Sequence, residues 1–260
     1  MPWSIPPPAL THTTATLNWR QDPYREETAC GDALFVETNR DDGRLHLLLL
    51  DVMGHGASAA LTARFVGNLL GQSTFVNRNP AELLNRLHDR LQPHWAITYR
   101  HVECVAVLID TSTLTLQTSR AGGLRDLWIG EPGQSWTASV VVGGAFLGIP
   151  HESTYTENTL SFPEGAWLLT ATDGVTEAGK PGPLFGTQGV QAFLTGLTAT
   201  VSGAALLNLL WSTLQTHAGP AWPDDDVTAL VLTRPSGPKK NLVLSLSSPA
   251  LVEDSPGGPE

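Results

Sequence analysis

The residues best suited to chemistry in this chain are four aspartates, Asp32, Asp51, Asp173 and Asp225, each standing where an apolar segment begins or ends. Asp51 closes the run Leu45-His46-Leu47-Leu48-Leu49-Leu50, and the turn Val52-Met53-Gly54-His55-Gly56 follows it. Asp173 follows Trp167-Leu168-Leu169-Thr170-Ala171-Thr172. Asp225, inside the triplet Asp224-Asp225-Asp226, precedes Val227-Thr228-Ala229-Leu230-Val231-Leu232. An ionised carboxylate at the rim of an apolar sheet is costly unless it is paired or holds a metal. Four at one rim repel one another unless cations compensate. Oxygen ligands without a Cys/His cluster favour Mg2+ or Mn2+ over Zn2+. Two such ions about 3.5–4 Å apart suit in-line attack of water on phosphorus. Any one of these aspartates reads more simply as a turn or cap residue; four at matched strand ends do not.

The elements that must bring them together are legible in outline. The leucine run is of strand length, and Ala57 onward reads as a helix reached through a glycine turn. Asp32 to Thr38 and Arg44 to Asp51 are strands around the turn cluster Asn39–Gly43, which makes an antiparallel hairpin. With Arg40 to Gly43 as the loop, Asn39 pairs with Arg44, and counting outward sets Asp32 opposite Asp51. Ala9 to Trp19 suits a half-exposed strand and Gln21 to Ala29 a loop. Asn79-Pro80-Ala81-Glu82 starts a helix running to about Gln92. Val102 to Asp110 and Leu114 to Ser119 form a second hairpin. Leu124 to Ile129, Thr154 to Leu160, Ala166 to Thr172 and Val227 to Arg234 read as strands. Gly189 to Leu197 and Ser202 to His217 read as helices, the second capped by Ser202. In antiparallel sheets the starts of some strands lie beside the ends of others, so all four carboxylates can share one rim. The expected organisation is a proline-rich arm over residues 1–8, one domain over 9–234, and a disordered tail over 235–260 whose only apolar patch is Leu242 to Leu246.

Composition narrows the function class. The 260 residues carry a formal net charge of -10, and the only clustered lysines are Lys239 and Lys240, which argues against a nucleic-acid surface. Two cysteines, Cys30 and Cys104, make no disulfide framework and favour a reducing, cytoplasmic setting. No stretch reads as a signal peptide or approaches a membrane span, so no membrane partner is expected.

Taken in order, Cys30-Gly31-Asp32, Asp51-Val52-Met53-Gly54-His55-Gly56, Thr170-Ala171-Thr172-Asp173-Gly174-Val175-Thr176-Glu177-Ala178 and Asp225-Asp226-Val227-Thr228 resemble the motifs of the SpoIIE/RsbU/RsbX branch of the metal-dependent protein phosphatases (PPM, protein phosphatase 2C type). The resemblance spans roughly residues 10 to 234. It implies an α+β fold, a four-layer α-β-β-α sandwich of two antiparallel sheets flanked by helices. It also implies hydrolysis of phosphoserine and phosphothreonine with two Mn2+ or Mg2+ ions. Carried over by motif, Asp51 bridges both ions and the Val52 backbone carbonyl binds one. Asp32 matches the first-half ligand, Asp173 and Asp225 the second-half ligands, and Glu177 a position used for an extra ion in some relatives. The branch further implies a phosphoprotein substrate resembling an anti-sigma antagonist in a partner-switching pathway.

The chain also departs from the pattern. The wider family has a general-acid histidine two residues after the bridging aspartate; here that place holds Met53, and His55 comes four residues after. His55 is the candidate acid, with a metal-bound water as the alternative, against the plainer reading of His55 as a turn residue hydrogen-bonded to backbone. Arg25 could hold the substrate phosphate, or be a solvated loop arginine. Cys30 lies beside a ligand with no evident base, which argues against a nucleophile. His94, His101, His151 and His217 show no ligand spacing. Two other classes share these residues: a catalytically weak metal-binding docking module, and a carboxylate-based phosphodiesterase, which the acidic charge disfavours.

Overall fold

The computed structural model describes residues 3–6, 9–11, 15–39, 44–72, 78–94, 100–110, 113–123, 126–150, 152, 154–197, 201–220, 222–234 and 236. They form two six-stranded sheets. The first, sheet A, has the order β1-β4-β5-β6-β7-β10, made of Trp3–Ser4, Ala33–Asn39, Arg44–Val52, Val102–Asp110, Thr115–Ala121 and Asn158–Ser161. The second, sheet B, has the order β2-β3-β12-β11-β8-β9, made of Ala9–Thr11, Thr16–Asp22, Val227–Thr233, Trp167–Ala171, Asp126–Gly130 and Trp136–Val140. All the strand pairings are antiparallel. Helices α1 (Gly56–Leu70) and α2 (Pro80–Leu91) cover the outer face of sheet A. Helices α4 (Gly186–Thr195) and α5 (Gly203–Ala218) cover sheet B, and the four-residue α3 (Asp173–Thr176) follows β11. The expected α-β-β-α sandwich is therefore the fold.

The leucine run shows why the layers stack this way. Leu45, Leu47 and Leu49 point into the core between the sheets, whereas Leu48 and Leu50 point out beneath α1 and α2. A strand buried on both faces needs a near-continuous apolar run. Each buried leucine contributes about 1.5–3 kcal/mol relative to exposure. β12 follows the same logic: Leu230 and Leu232 face the inter-sheet core, and Val227, Ala229 and Val231 face α5 and its neighbours. On sheet A's outer face Asn79 caps α2, accepting from the Glu82 N–H at 2.8 Å, as its sequence implies.

Several elements differ from the sequence reading. The span Ala9 to Trp19 holds two strands, β2 and β3, rather than one. The proline-rich arm contributes β1, with Trp3 opposite Glu37 and Ser4 opposite Val36. The loop after β3 contains a short 3-10 turn at Tyr24–Glu26, and β9 was not foreseen. The Asn39–Gly43 turn lies outside the described residues from 40 to 43, but its consequence is visible: Asn39 pairs with Arg44 and Ala33 with Leu50. The expected tail lies outside the described residues apart from Ser236. Among the described residues no helix is long and apolar enough to cross a membrane.

Candidate metal centre

Asp51 is the penultimate residue of β5, and Asp32 stands one position before β4, so the β4–β5 register carries the two toward each other. The same rim receives Asp173 from the far sheet, at the first position of α3, and Asp225, two residues before β12. Glycines let these backbones pass closely. A β-carbon on Gly31 would stand 2.7 Å from that of Ala59 and 3.1 Å from the carbonyls of Val52 and Gly54. The Cys30–Asp32 segment can therefore lie against the Asp51 turn only with glycine there. A β-carbon on Gly174 would meet the Asp226 carbonyl at 2.2 Å, so this glycine lets the Asp173 turn cross the Asp225–Asp226 segment.

Side chains then join the two sheets. The Thr172 hydroxyl donates to Asp32 Oδ2 at 2.8 Å and accepts from the Thr228 N–H at 2.9 Å. The Gln21 amide donates to the Asp32 carbonyl at 3.0 Å and to the Thr228 hydroxyl at 3.1 Å. Asp32 is thereby tied to sheet B although its strand belongs to sheet A.

The electrostatics follow from burial and crowding. Burial, with the charges of Asp226 and Asp173, pushes the Asp32 carboxyl up to about 8, against the hydrogen bonds from Thr172 and Thr228 that favour its ionised form. Asp51 is raised well above the usual range, first by burial and then by Asp32, Asp173, Glu103 and Asp225. Asp173 is pushed up to about 6 by burial, Glu177, Asp225 and Glu103, with Lys180 opposing. Asp225 is raised chiefly by burial, while His55 and Lys180 pull the other way. Asp51 thus feels the charges of Asp32, Asp173 and Asp225, and Asp173 feels that of Asp225.

Glu103 belongs to this neighbourhood and was missed from sequence. It sits directly across from Asp51 in the β5–β6 ladder and accepts from the Gly123 N–H at 2.6 Å. The register of the second hairpin against β5 was the signal that could have found it. Asp226 was missed too. It is 3 % exposed and accepts from the Tyr24 N–H at 2.9 Å and the Gly31 N–H at 2.6 Å. The triplet thus splits three ways: Asp224 turns to Arg25 at 3.8 Å, Asp225 to the rim, and Asp226 inward to the loop.

The remaining candidates fall out as follows. The Val52 carbonyl lies against Gly31 at the rim. His55, at the N-cap of α1, is held by a carboxylate rather than by backbone, with Nδ1 3.0 Å from Glu27 Oε1. Arg25, with a φ of 40°, lies over the Tyr24 ring. Glu177 forms an ion pair with Lys180. Burial pushes the Cys30 thiol up, which suits neither a nucleophile nor a soft ligand. His94, His101 and His217 pack on Phe65, Phe146 and Phe185, and His151 lies outside the described residues.

The donor set fits hard divalent cations: it is all oxygen, crowded, desolvated and short of compensating positive charge. Among the described residues no three Asp, Glu, His or Cys side chains converge closely enough to form a finished ligand cage. The carboxylates of the rim raise one another's pKa values.

Comparison with known proteins bears on this arrangement. The family model for Stage II sporulation protein E, SpoIIE, matches residues 41–235. No curated protein matches the chain. Among solved structures, the phosphatase domain of SpoIIE from Bacillus subtilis, with a fragment of its regulatory domain, aligns with a TM-score of 0.71 at 15% identity, covering 87% of this chain and 64% of that one. The RsbU and RsbW domains of a Mycobacterium tuberculosis protein align at 0.68 and 20% identity, over 88% and 61%. RsbX in complex with magnesium aligns at 0.61 and 14% identity, over 87% and 98%. At these identities the likeness is one of fold.

Proposed function

This chain belongs to the SpoIIE family, with a phosphatase domain of the PP2C type, and we propose that it hydrolyses phosphoserine or phosphothreonine on a regulatory protein. The observation that carries the proposal is the rim itself. Two carboxylates from each sheet meet there with their ionised forms disfavoured, a state that divalent cations relieve. Asp51, Asp32, Asp173, Asp225 and the Val52 carbonyl would hold two Mn2+ or Mg2+ ions, and the magnesium in RsbX supports that ion class. Such ions, when bound, would neutralise the carboxylates, draw in the substrate phosphoryl group and lower the pKa of water.

The protein's own groups have separate tasks. Asp51, whose carboxyl feels the charges of the other three, would hold the ions that orient the substrate phosphoryl group. Thr172 and Gln21 keep Asp32 from swinging away. His55, on the turn that follows Asp51, gives a proton to the departing serine or threonine oxygen, a step typically worth about 10²–10⁴-fold. Glu177, whose charge reaches Asp173, would hold a further ion once its pairing with Lys180 is given up. The fold neighbours that carry RsbU and RsbW domains support a substrate of the partner-switching kind, an anti-sigma-antagonist-like phosphoprotein.

The test is phosphate release from an aryl phosphate and from a phosphoserine peptide with Mn2+, with Mg2+ and with chelator. Turnover that stops with chelator and returns with excess metal is expected. Full turnover in metal-free buffer overturns the metal-dependent mechanism, and no turnover under any condition leaves the docking-module reading.

A further inference from the structure

The loop between β3 and β4 is fastened at both ends to one buried carboxylate, since Tyr24 and Gly31 donate their N–H groups to the two oxygens of Asp226. Between those points it folds over the turn that follows Asp51. There Glu27 Oε1 lies 3.0 Å from His55 Nδ1, and the Tyr24 ring stacks on the imidazole with centroids 3.8 Å apart and planes at 25°. Gly56 is shaped for this approach: its φ is +76°, and a β-carbon there would stand 2.3 Å from Glu27 Oε2. None of these three contacts is local in sequence, and together they fix the imidazole by one edge and one face.

We infer that Glu27 is a positioning residue for proton transfer, acting through His55, and that the 24–31 loop is the clamp that orients the acid. An ionised carboxylate only accepts hydrogen bonds, so the contact requires the proton on Nδ1. The catalytic proton must then travel on Nε2, the nitrogen turned away from Glu27. In the step, the water oxygen forms its bond to phosphorus as the bond from phosphorus to the serine oxygen breaks. The Nε2 proton moves to that oxygen, the water's proton passes to solvent, and Nε2 is reprotonated from solvent. Glu27 stabilises the doubly protonated ring before transfer and keeps Nδ1 protonated after it. The inference rests on the phosphatase reading for its kinetic consequence, though not for its geometry.

The competing account is that Glu27 only caps α1, whose N-terminus favours a negative charge. Two measurements on the full chain with saturating Mn2+ separate the accounts. In the first, Glu27→Ala should slow the phosphoserine peptide, by no more than the ~10²–10⁴-fold that the acid itself contributes. An aryl phosphate, whose leaving group needs little protonation, should slow much less. In a His55→Ala background the same change should add nothing, and Glu27→Gln should recover part of the loss. Equal slowing of both substrates, or losses that add to those of His55→Ala, overturns the inference. In the second, nitrogen NMR of the neutral His55 ring should show the Nδ1–H tautomer in the parent chain and its loss in Glu27→Ala. An unchanged tautomer overturns the clamp whether or not the chain turns over substrate. Absence of hydrolysis with the tautomer shift intact instead refutes the phosphatase reading alone.

Discussion

The two sheets equip their shares of the rim differently. Sheet A supplies the buried Asp32 and the half-buried Asp51, and desolvation is the first cause of both raised pKa values. Sheet B supplies Asp173, in the first turn of α3, and Asp225, in a loop. Asp173 is exposed and Asp225 half-buried, and Lys180 and, for Asp225, His55 temper their shifts. A carboxylate that is both buried and crowded ionises only against a cation, whereas one with water and a positive neighbour ionises with local help. On the proposed reading Asp32 and Asp51 would be the less replaceable holders of the ions, and the sheet-B carboxylates the more forgiving.

The sharpest way to break this contrast is Asp51→Asn. Phosphate release at saturating Mn2+ should fall by more than the ~10–100-fold typical of losing a supporting partner, and by more than in Asp173→Asn. With chelator present the variant should also melt above the parent chain, because a carboxyl whose ionisation is opposed by desolvation and by Asp32, Asp173, Glu103 and Asp225 has been removed. Equal kinetic losses at Asp51 and Asp173 would erase the distinction between the sheets.

A smaller effect tests the assignment within the triplet. Asp225→Asn should slow turnover at least ~10-fold. Asp224→Asn, which loses a partly exposed ion pair to Arg25, should stay within about threefold, in line with the small worth of such pairs. Steady-state kinetics with Mn2+ titrated for each variant decides it, and matched losses would mean that the wrong aspartate has been placed at the rim.

The smallest effect is on stability against pH in the chelated protein. Asp32 is raised from 3.8 to about 8, so between those values the folded chain keeps a proton that the unfolded chain gives up. Stability is then fully present below about pH 4 and falls as pH rises toward about 8; Asp173 adds a fall that ends near 6. The melting temperature should drop over this range. Excess Mn2+ should restore it. A melting temperature that rises with pH in chelator would reverse the burial argument for sheet A.

How much of this was legible in the sequence depended on how local the cause was. The short β4–β5 loop fixes a register, so the approach of Asp32 to Asp51 can be counted out from Asn39 and Arg44. Asn79 and Ser202 cap helices through N–H groups three residues on, and both are readable as such. The roles of Asp226 and Glu27 were not readable. One binds backbone N–H groups about two hundred residues away, and the other meets a histidine across a turn from a different segment. Glu103 lay between these cases, since its hairpin was foreseen but its register against β5 was not. Strand β1 escaped notice because two residues among prolines carry no periodicity.

The cross-sheet ties at Thr172 and Gln21 also bear on how the chain acquires its shape. No contiguous stretch contains the rim: Asp32 and Asp51 come early, Asp173 and Asp225 late, and the hydroxyl that pins Asp32 lies 140 positions downstream. Such a site closes only after the most distant parts of the polypeptide have met, the slow kind of event in a high-contact-order β protein. An isolated half of the chain would lack it. Cation uptake during refolding would therefore serve as a clock for the completed sandwich, starting only once both halves have docked.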